Sequence, residues 1–274
     1  MNCKGLICPV CGSPLSVAEN GRGFRCGGVK MHNFDISRSG HVNFAGGGYD
    51  PNSGDPVDMV RARIAFLEEG WFEPLARCIG ETVGALGGLC VDAGCGNGYY
   101  TEWAAERAET VYAFDLSKYA VEYGAKKAKR EGKSCLYAVS SVYGLPLASG
   151  CADTVLSVFA PVAEEEFCRV LKDGGRLIIA AAAPDHLREL KAQLYESVTE
   201  NTERGDLPKT MKLIEKNRVS YTRTLHSGAI AALYGMTPYS RRTSREAAER
   251  LLGLEGLEIT FSFDIYVYGK KEQV

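Results

Sequence analysis

The sequence predicts an α/β fold, a doubly wound and mostly parallel sheet, with a small metal-held module in front of it. Three observations predict it. From residue 71 onward, apolar strand-like runs alternate with amphipathic stretches, as they do when helices cover both faces of a sheet. One run, Gly88-Leu89-Cys90-Val91, enters a helical stretch through Asp92-Ala93-Gly94-Cys95-Gly96-Asn97-Gly98, where glycines permit a tight turn and leave no Cβ to hold a ligand off the main chain. Near the start, Cys8-Pro9-Val10-Cys11 is followed by Cys26 and His32, four thiol and imidazole donors in two clusters.

Bulk composition narrows the classes. A chain of 274 residues can bury a full core, and its net charge of −2 announces no nucleic-acid partner by itself. It contains neither an apolar run of membrane length nor a secretory leader, so a cytoplasmic protein is expected. Of the ten cysteines, seven (3, 78, 90, 95, 135, 151 and 168) are scattered through apolar stretches and read as small core residues in a reducing compartment.

Taken in order, residues 1–45 form the metal-binding module. Two thiols on one knuckle, a hairpin-like stretch from Ser16 to Phe24, then Cys26 and His32 suit a closed tetrahedral zinc site, which supplies folding energy that so short a segment cannot gather from apolar burial. The five-residue gap between Cys26 and His32 is wide, and His41 is held in reserve as the fourth ligand. The zinc is structural, since four protein ligands leave no open position. Residues 46–70 are a linker and helix: the run Ala45 to Pro56 is rich in glycine and turn residues, and from Val57 a helical face carries Met59, Ala62, Phe66 and Leu67. The module is expected to move relative to the rest.

Residues 71–274 are the main domain. Thr110-Val111-Tyr112-Ala113-Phe114 is a second strand ending in Asp115, followed by Leu116 and a helix from Ser117, which can cap it. Ser134 to Val139 is a third strand, ending in Ser140-Ser141. Cys151 to Pro161 is the fourth strand and its loop. Ligands in such sheets lie at the carboxyl ends of strands, so Phe159 is placed to stack on a substrate. Glu164-Glu165-Glu166 starts a helix, and Arg176 to Ala183 is the fifth strand. Pro184-Asp185-His186 opens a long helix, Leu187 to Glu203, with Asp185 as its cap. Ser244 to Leu252 is a helix, and residues 257–263 and 265–268 are the terminal strands. Residues 184–252 form a basic substrate segment: between 204 and 245 nine Lys or Arg face two acidic residues, a balance of +7, and residues 1–45 carry +3, leaving −12 elsewhere. Positive charge segregated in this way is the footprint of phosphate contact, with Tyr221, Tyr234 and Tyr239 as stacking surfaces.

The Asp92 to Gly98 turn resembles motif I of class I methyltransferases. The resemblance implies a Rossmann-like domain binding S-adenosylmethionine, with Asp92 and the loop Gly94, Cys95, Gly96, Asn97, Gly98, Tyr99 and Tyr100 at the methionine end. It places Asp115 and Leu116 at the ribose, Ser140 and Ser141 at the adenine, and Phe159 by the methyl. The cysteine knuckle, Asn33-Phe34-Asp35-Ile36, Gly40 to Phe44, Leu145-Pro146, and Met236-Thr237-Pro238-Tyr239 are together similar to the RlmA (RrmA) family of 23S ribosomal RNA guanine-N1 methyltransferases. The resemblance implies methyl transfer to N1 of a guanine in a 23S rRNA hairpin, an rRNA-processing role, and a homodimer pairing two basic surfaces is compatible with it. Guanine N1 carries a proton near neutrality, so a group must remove it or stabilise the base without it, and Asp55, Glu165, Asp185 and His186 are the candidates. The alternative is a small-metabolite methyltransferase of the same fold.

Overall fold

The computed structural model describes residues 3–46, 49, 50, 53–202 and 204–271. Gly47, Gly48, Pro51 and Asn52 of the expected linker, and Glu203 at the end of the expected long helix, lie outside them.

The amino-terminal module is a three-stranded antiparallel sheet of β1 (Leu15–Val17), β2 (Gly23–Cys26) and β3 (Asn33–Asp35). It does not hang from the linker alone. β4 (Val42–Asn43) leaves the module and later lies against the edge of the large sheet. Leu6, Phe24 and Phe44 pack into the same apolar core as Leu136 and Leu147. The Ile7 N–H donates to Pro146 O at 2.9 Å and the Ala148 N–H to Gly5 O at 2.7 Å.

The chain then forms α1 (Val57–Glu68), α2 (Glu73–Gly84), β5 (Leu89–Ala93), α3 (Tyr99–Ala105), β6 (Thr110–Asp115), α4 (Lys118–Arg130), β7 (Cys135–Val139) and β8 (Ala152–Val158). It closes with α5 (Glu164–Val170), β9 (Leu171–Ala182), α6 (Arg188–Leu194), β10 (Lys212–His226), α7 (Ser227–Met236), a 3₁₀ turn (Pro238–Arg241), α8 (Arg245–Leu252) and β11 (Gly256–Gly269). The eight-stranded sheet has the order β10-β11-β9-β8-β5-β6-β7-β4, with β11 antiparallel to both neighbours and the other pairs parallel. All five residues of β5 are buried, as a strand covered on both faces requires. The order reverses beside β5, between β8 and β6, and that is where such sheets open a crevice at their carboxyl edge.

Several expectations are corrected. The long helix from Leu187 ends at Leu194, because Lys191 Nζ reaches back to Asn201 Oδ1 at 2.9 Å and the Asn201 amide donates to Ala183 O at 2.8 Å, folding the chain onto itself. Residues 257–268 are one strand, β11, rather than two. Asp264, which breaks the apolar pattern, is buried and held by Arg218 of β10 at 2.7 Å. β10 itself, part of the basic substrate segment, is the sheet's edge strand. Ser117 precedes α4, yet its hydroxyl does not cap the helix; it donates toward Asp55 O at 3.5 Å. Asp185 does not cap α6 either, since Leu187 occupies that position. Ser244 does cap α8, accepting from the Ala247 N–H.

Candidate functional site

A cavity of about 540 Å³ opens at the carboxyl ends of β5, β6, β7 and β8. Its floor is local in sequence. Gly94, Cys95, Gly96, Asn97 and Tyr100 line it from the turn after β5, Asp115 and Leu116 from the end of β6, Ser141 from the end of β7, and Phe159 from the end of β8. Gly96 has φ +53, and a Cβ there would stand 3.7 Å from Arg63 Nη1, so the bare main chain faces the cavity. Asp115 Oδ2 accepts the Gly96 N–H at 2.9 Å and Oδ1 the Ser117 N–H at 2.7 Å, tying the two strand ends together. Burial raises the Asp115 carboxyl against the pull of these two N–H groups.

Asp92, Gly98, Tyr99 and Ser140, expected at the ligand, do not line the cavity. Asp92 lies beneath the turn. Its Oδ2 accepts from Thr101 at 2.6 Å, its Oδ1 is buried without a partner, and desolvation lifts its pKa to about 7. Gly98, at φ +84, serves packing: a Cβ there would collide with the Tyr137 hydroxyl. Ser140 is buried, leaving Ser141, whose hydroxyl accepts the Tyr143 N–H at 3.2 Å.

The roof comes from distant chain. Gly54, Asp55, Met59, Arg63 and Leu67 arrive with α1, Phe72 precedes α2, and Met236, Thr237 and Pro238 follow α7. Arg63 bonds Asp55 at 2.6 Å across this roof. The α1 face was legible in the periodicity. Phe72, Val142 and Tyr143 carried no sequence signal as site residues. Among the described residues only two non-glycine positions have positive φ, Phe159 (54°) and Leu187 (57°), and both border the cavity. Such backbone costs on the order of 1–3 kcal/mol and persists where the surroundings enforce it, commonly at functional sites. The Phe159 ring lies 6.2 Å from Phe72 and 5.7 Å from Phe263, with 44% of the residue exposed.

Of the four proton-acceptor candidates, the cavity gathers Asp55 and His186. Glu165 is exposed on α5, outside it. Asp185 also lies outside, with Oδ1 buried and unpartnered. His186 Nδ1 accepts the Ser262 N–H at 3.2 Å, and desolvation, then Lys191, lowers its pKa to about 3. The ring is neutral near pH 7. A second, open hollow of about 810 Å³ adjoins Phe159, Ala160 and Pro161 and is bordered by Asn201 and Arg204.

In the amino-terminal module, the donor atoms of Cys8, Cys11, Cys26 and His32 all lie within 4.8 Å of one another. Cys11 and Cys26 Sγ are 3.8 Å apart, and His32 Nδ1 is 3.5 Å from Cys8 Sγ and 3.4 Å from Cys26 Sγ. A tetrahedral ion with Zn–S of about 2.3 Å and Zn–N of about 2.0–2.1 Å requires S···S near 3.8 Å and S···N near 3.5 Å, so the donor set fits zinc. Main-chain N–H groups of Val10 and His32 point at the Cys8 and Cys26 sulfurs, at 3.4 and 3.1 Å. His41, the reserve, bonds Ser37 Oγ at 2.9 Å and is not in the cluster.

The basic segment is partly self-neutralised. Arg204 pairs with Asp206, Lys216 and Arg218 with Asp264, Arg241 with Asp58 and Arg245 with Glu249. The three tyrosines are packed rather than presented: Tyr221 donates to Trp71 O at 2.7 Å, Tyr234 is buried, and the Tyr239 ring lies 6.1 Å from that of Tyr195. No helix among the described residues is long and apolar enough to cross a membrane.

Comparison with known proteins agrees with the cavity. Residues 91–179 match a family model described as a methyltransferase domain. The chain is 32% identical over 273 residues, 94% of each chain, to the 23S rRNA (guanine(748)-N(1))-methyltransferase of Streptomyces fradiae. It is 30% identical, over 95% of each chain, to YxjB of Bacillus subtilis (strain 168), a protein named for the same reaction on 23S rRNA. The crystal structure of the YcgJ protein from Bacillus subtilis superimposes with a TM-score of 0.50 at 15% identity, covering 71% of this chain and 98% of that one, a likeness of fold alone.

Proposed function

Because the chain belongs to the 23S rRNA (guanine-N1-)-methyltransferase family, we propose that it methylates N1 of a guanine in a hairpin of 23S rRNA, using S-adenosylmethionine. The observation that carries this reading is the joining of that family relationship to a cavity whose floor is a bare glycine turn beside a carboxylate. S-adenosylmethionine supplies a methyl already activated on a sulfonium.

The chain's own work is placement and proton handling. Asp115 keeps acceptor capacity on both oxygens for two ribose hydroxyls, and the main chain of Gly94 to Asn97 receives the methionine end. Ser141 and Val142 border the adenine. Phe159, held at a strained φ, offers its exposed ring to the target base, which leaves its stack to enter. At N1 a carbon–sulfur bond is exchanged for a carbon–nitrogen bond, and the N1 proton must depart. Of the two carboxylates that line the cavity, Asp115 is engaged by N–H groups on both oxygens, whereas Asp55 is held by Arg63 through Oδ2, so its other oxygen is the one assigned to accept that proton.

Zinc held by Cys8, Cys11, Cys26 and His32 stabilises the amino-terminal module, which grips RNA beside the β4 edge of the sheet. β10 carries the other basic segment at the opposite edge, seven strand spacings or roughly 33 Å away. A hairpin lying across the carboxyl edge touches both. The enzyme is then expected in the cytoplasm with the ribosomal RNA it modifies.

The test incubates purified protein with a 23S rRNA fragment, a panel of small metabolites and labelled S-adenosylmethionine. Label in 1-methylguanosine supports the reading. Label only in a metabolite overturns it. One equivalent of zinc by elemental analysis, lost in Cys8→Ser, is the expected metal result, and a metal-free protein of unchanged stability would contradict it.

A further inference from the structure

His186 is bound and oriented in a way that suits a donor rather than a base. In a neutral imidazole one nitrogen carries hydrogen and the other a lone pair. Here the lone pair is on Nδ1, because Nδ1 accepts the Ser262 N–H at 3.2 Å. The hydrogen is therefore on Nε2. That atom has no protein partner among the described residues and is not among the solvent-inaccessible orphans. The residue is only 8% exposed, and what it borders is the cavity.

Its surroundings hold the ring fixed. Phe263 lies 4.7 Å away, Phe72 6.2 Å and Phe261 6.3 Å, centroid to centroid. Phe72 and Phe263 are also neighbours of Phe159, so the imidazole and the proposed base-stacking ring belong to one aromatic cluster. The next residue, Leu187, has its left-handed φ at the point where the chain turns from His186 into α6.

We propose that His186 Nε2–H donates a hydrogen bond to O6 of the target guanine. The inference rests on the guanine-N1 reading above. Removal of the N1 proton leaves negative charge shared between N1 and O6, and a fixed donor at O6 meets that charge as it develops. The proton itself goes to Asp55, and His186 stays neutral throughout. The same donor discriminates against adenine, whose exocyclic amine would face it with N–H. Since Nδ1 is occupied by Ser262, the ring has no lone pair left with which to take up the N1 proton.

The test compares His186→Asn, which can keep an acceptor for Ser262 but loses the cavity donor, with His186→Gln, which can restore a donor near Nε2. Both are assayed on the RNA fragment and on the same fragment carrying 6-thioguanine, a poor acceptor, at the target. Thermal melting and S-adenosylmethionine binding report the fold. The expected kcat loss is about 10²-fold for the Asn variant, the order found for one oxyanion-hole donor, with cofactor affinity kept and partial recovery in Gln. The wild type should lose activity on the thio substrate while the Asn variant loses no more. Equal kcat in all three proteins, or a thio effect undiminished in the Asn variant, overturns the role of His186 while leaving the methylation reading in place. A wild type that methylates no guanine overturns both.

Discussion

The floor and the roof of the cavity are made in opposite ways. The floor is four strand ends and the turns that follow them, each a few residues long, with neighbours tied by main-chain hydrogen bonds such as Gly94 N–H to Phe114 O and by the Gly96 N–H to the Asp115 carboxylate. The roof is α1, Phe72 and the Met236-Thr237-Pro238 corner, joined by side-chain packing and the half-exposed Arg63–Asp55 pair. Groups buried in a covered sheet cannot be moved without breaking backbone order. Groups on a covering helix can. The floor should therefore fix cofactor affinity and stability, and the roof should tune access.

The largest effect is expected at the floor. Asp115→Ala would remove the two charge-assisted hydrogen bonds proposed to ribose, each worth about 1.5–3 kcal/mol, so calorimetry should find cofactor affinity down by about 100-fold or more. Retention of near wild-type affinity would break the comparison. Next is Gly98→Ala, which places a Cβ at φ +84 and against Tyr137. Left-handed backbone and overpacking together predict about 2–4 kcal/mol lost in denaturant melts.

Asp92 sharpens the contrast through pH. Burial raises its carboxyl to about 7 from 3.8, so the folded state prefers the protonated form. That preference stabilises the protein fully below about pH 4 and is lost as pH rises through 7. Asp92→Asn, which can still accept from Thr101, should therefore gain stability relative to wild type at pH 8 but not at pH 4. An equal offset at both pH values would contradict it. The smallest effect belongs to the roof: Arg63→Ala should change global stability by less than about 1 kcal/mol, because the pair is partly solvated, while weakening cofactor binding several-fold.

The same division explains what the sequence made legible. Strand, glycine turn and terminal Asp115 are contiguous patterns, and the structure places Gly94 to Asn97, Tyr100, Asp115, Leu116, Ser141 and Phe159 around one cavity. The cluster of Cys8, Cys11, Cys26 and His32 was legible for the same reason, since knuckle spacing is local. Asp92 and Gly98 matched the motif but serve the fold beneath it, a distinction that depends on Thr101 and Tyr137 rather than on spacing. Phe72 was missed because the roof brings it together with Met236, a residue far from it in the chain. That β10 is the sheet's edge strand was not legible, because its outward positions are charged and charge count alone does not place a strand in a sheet.

The central claim is tested most directly by mass-spectrometric nucleoside mapping of 23S rRNA from a strain lacking this protein, complemented with wild type or with Asp115→Ala. The account predicts 1-methylguanosine at one hairpin guanine, absent without the protein, restored by wild type and not by the variant. An identical map in all three strains would contradict it.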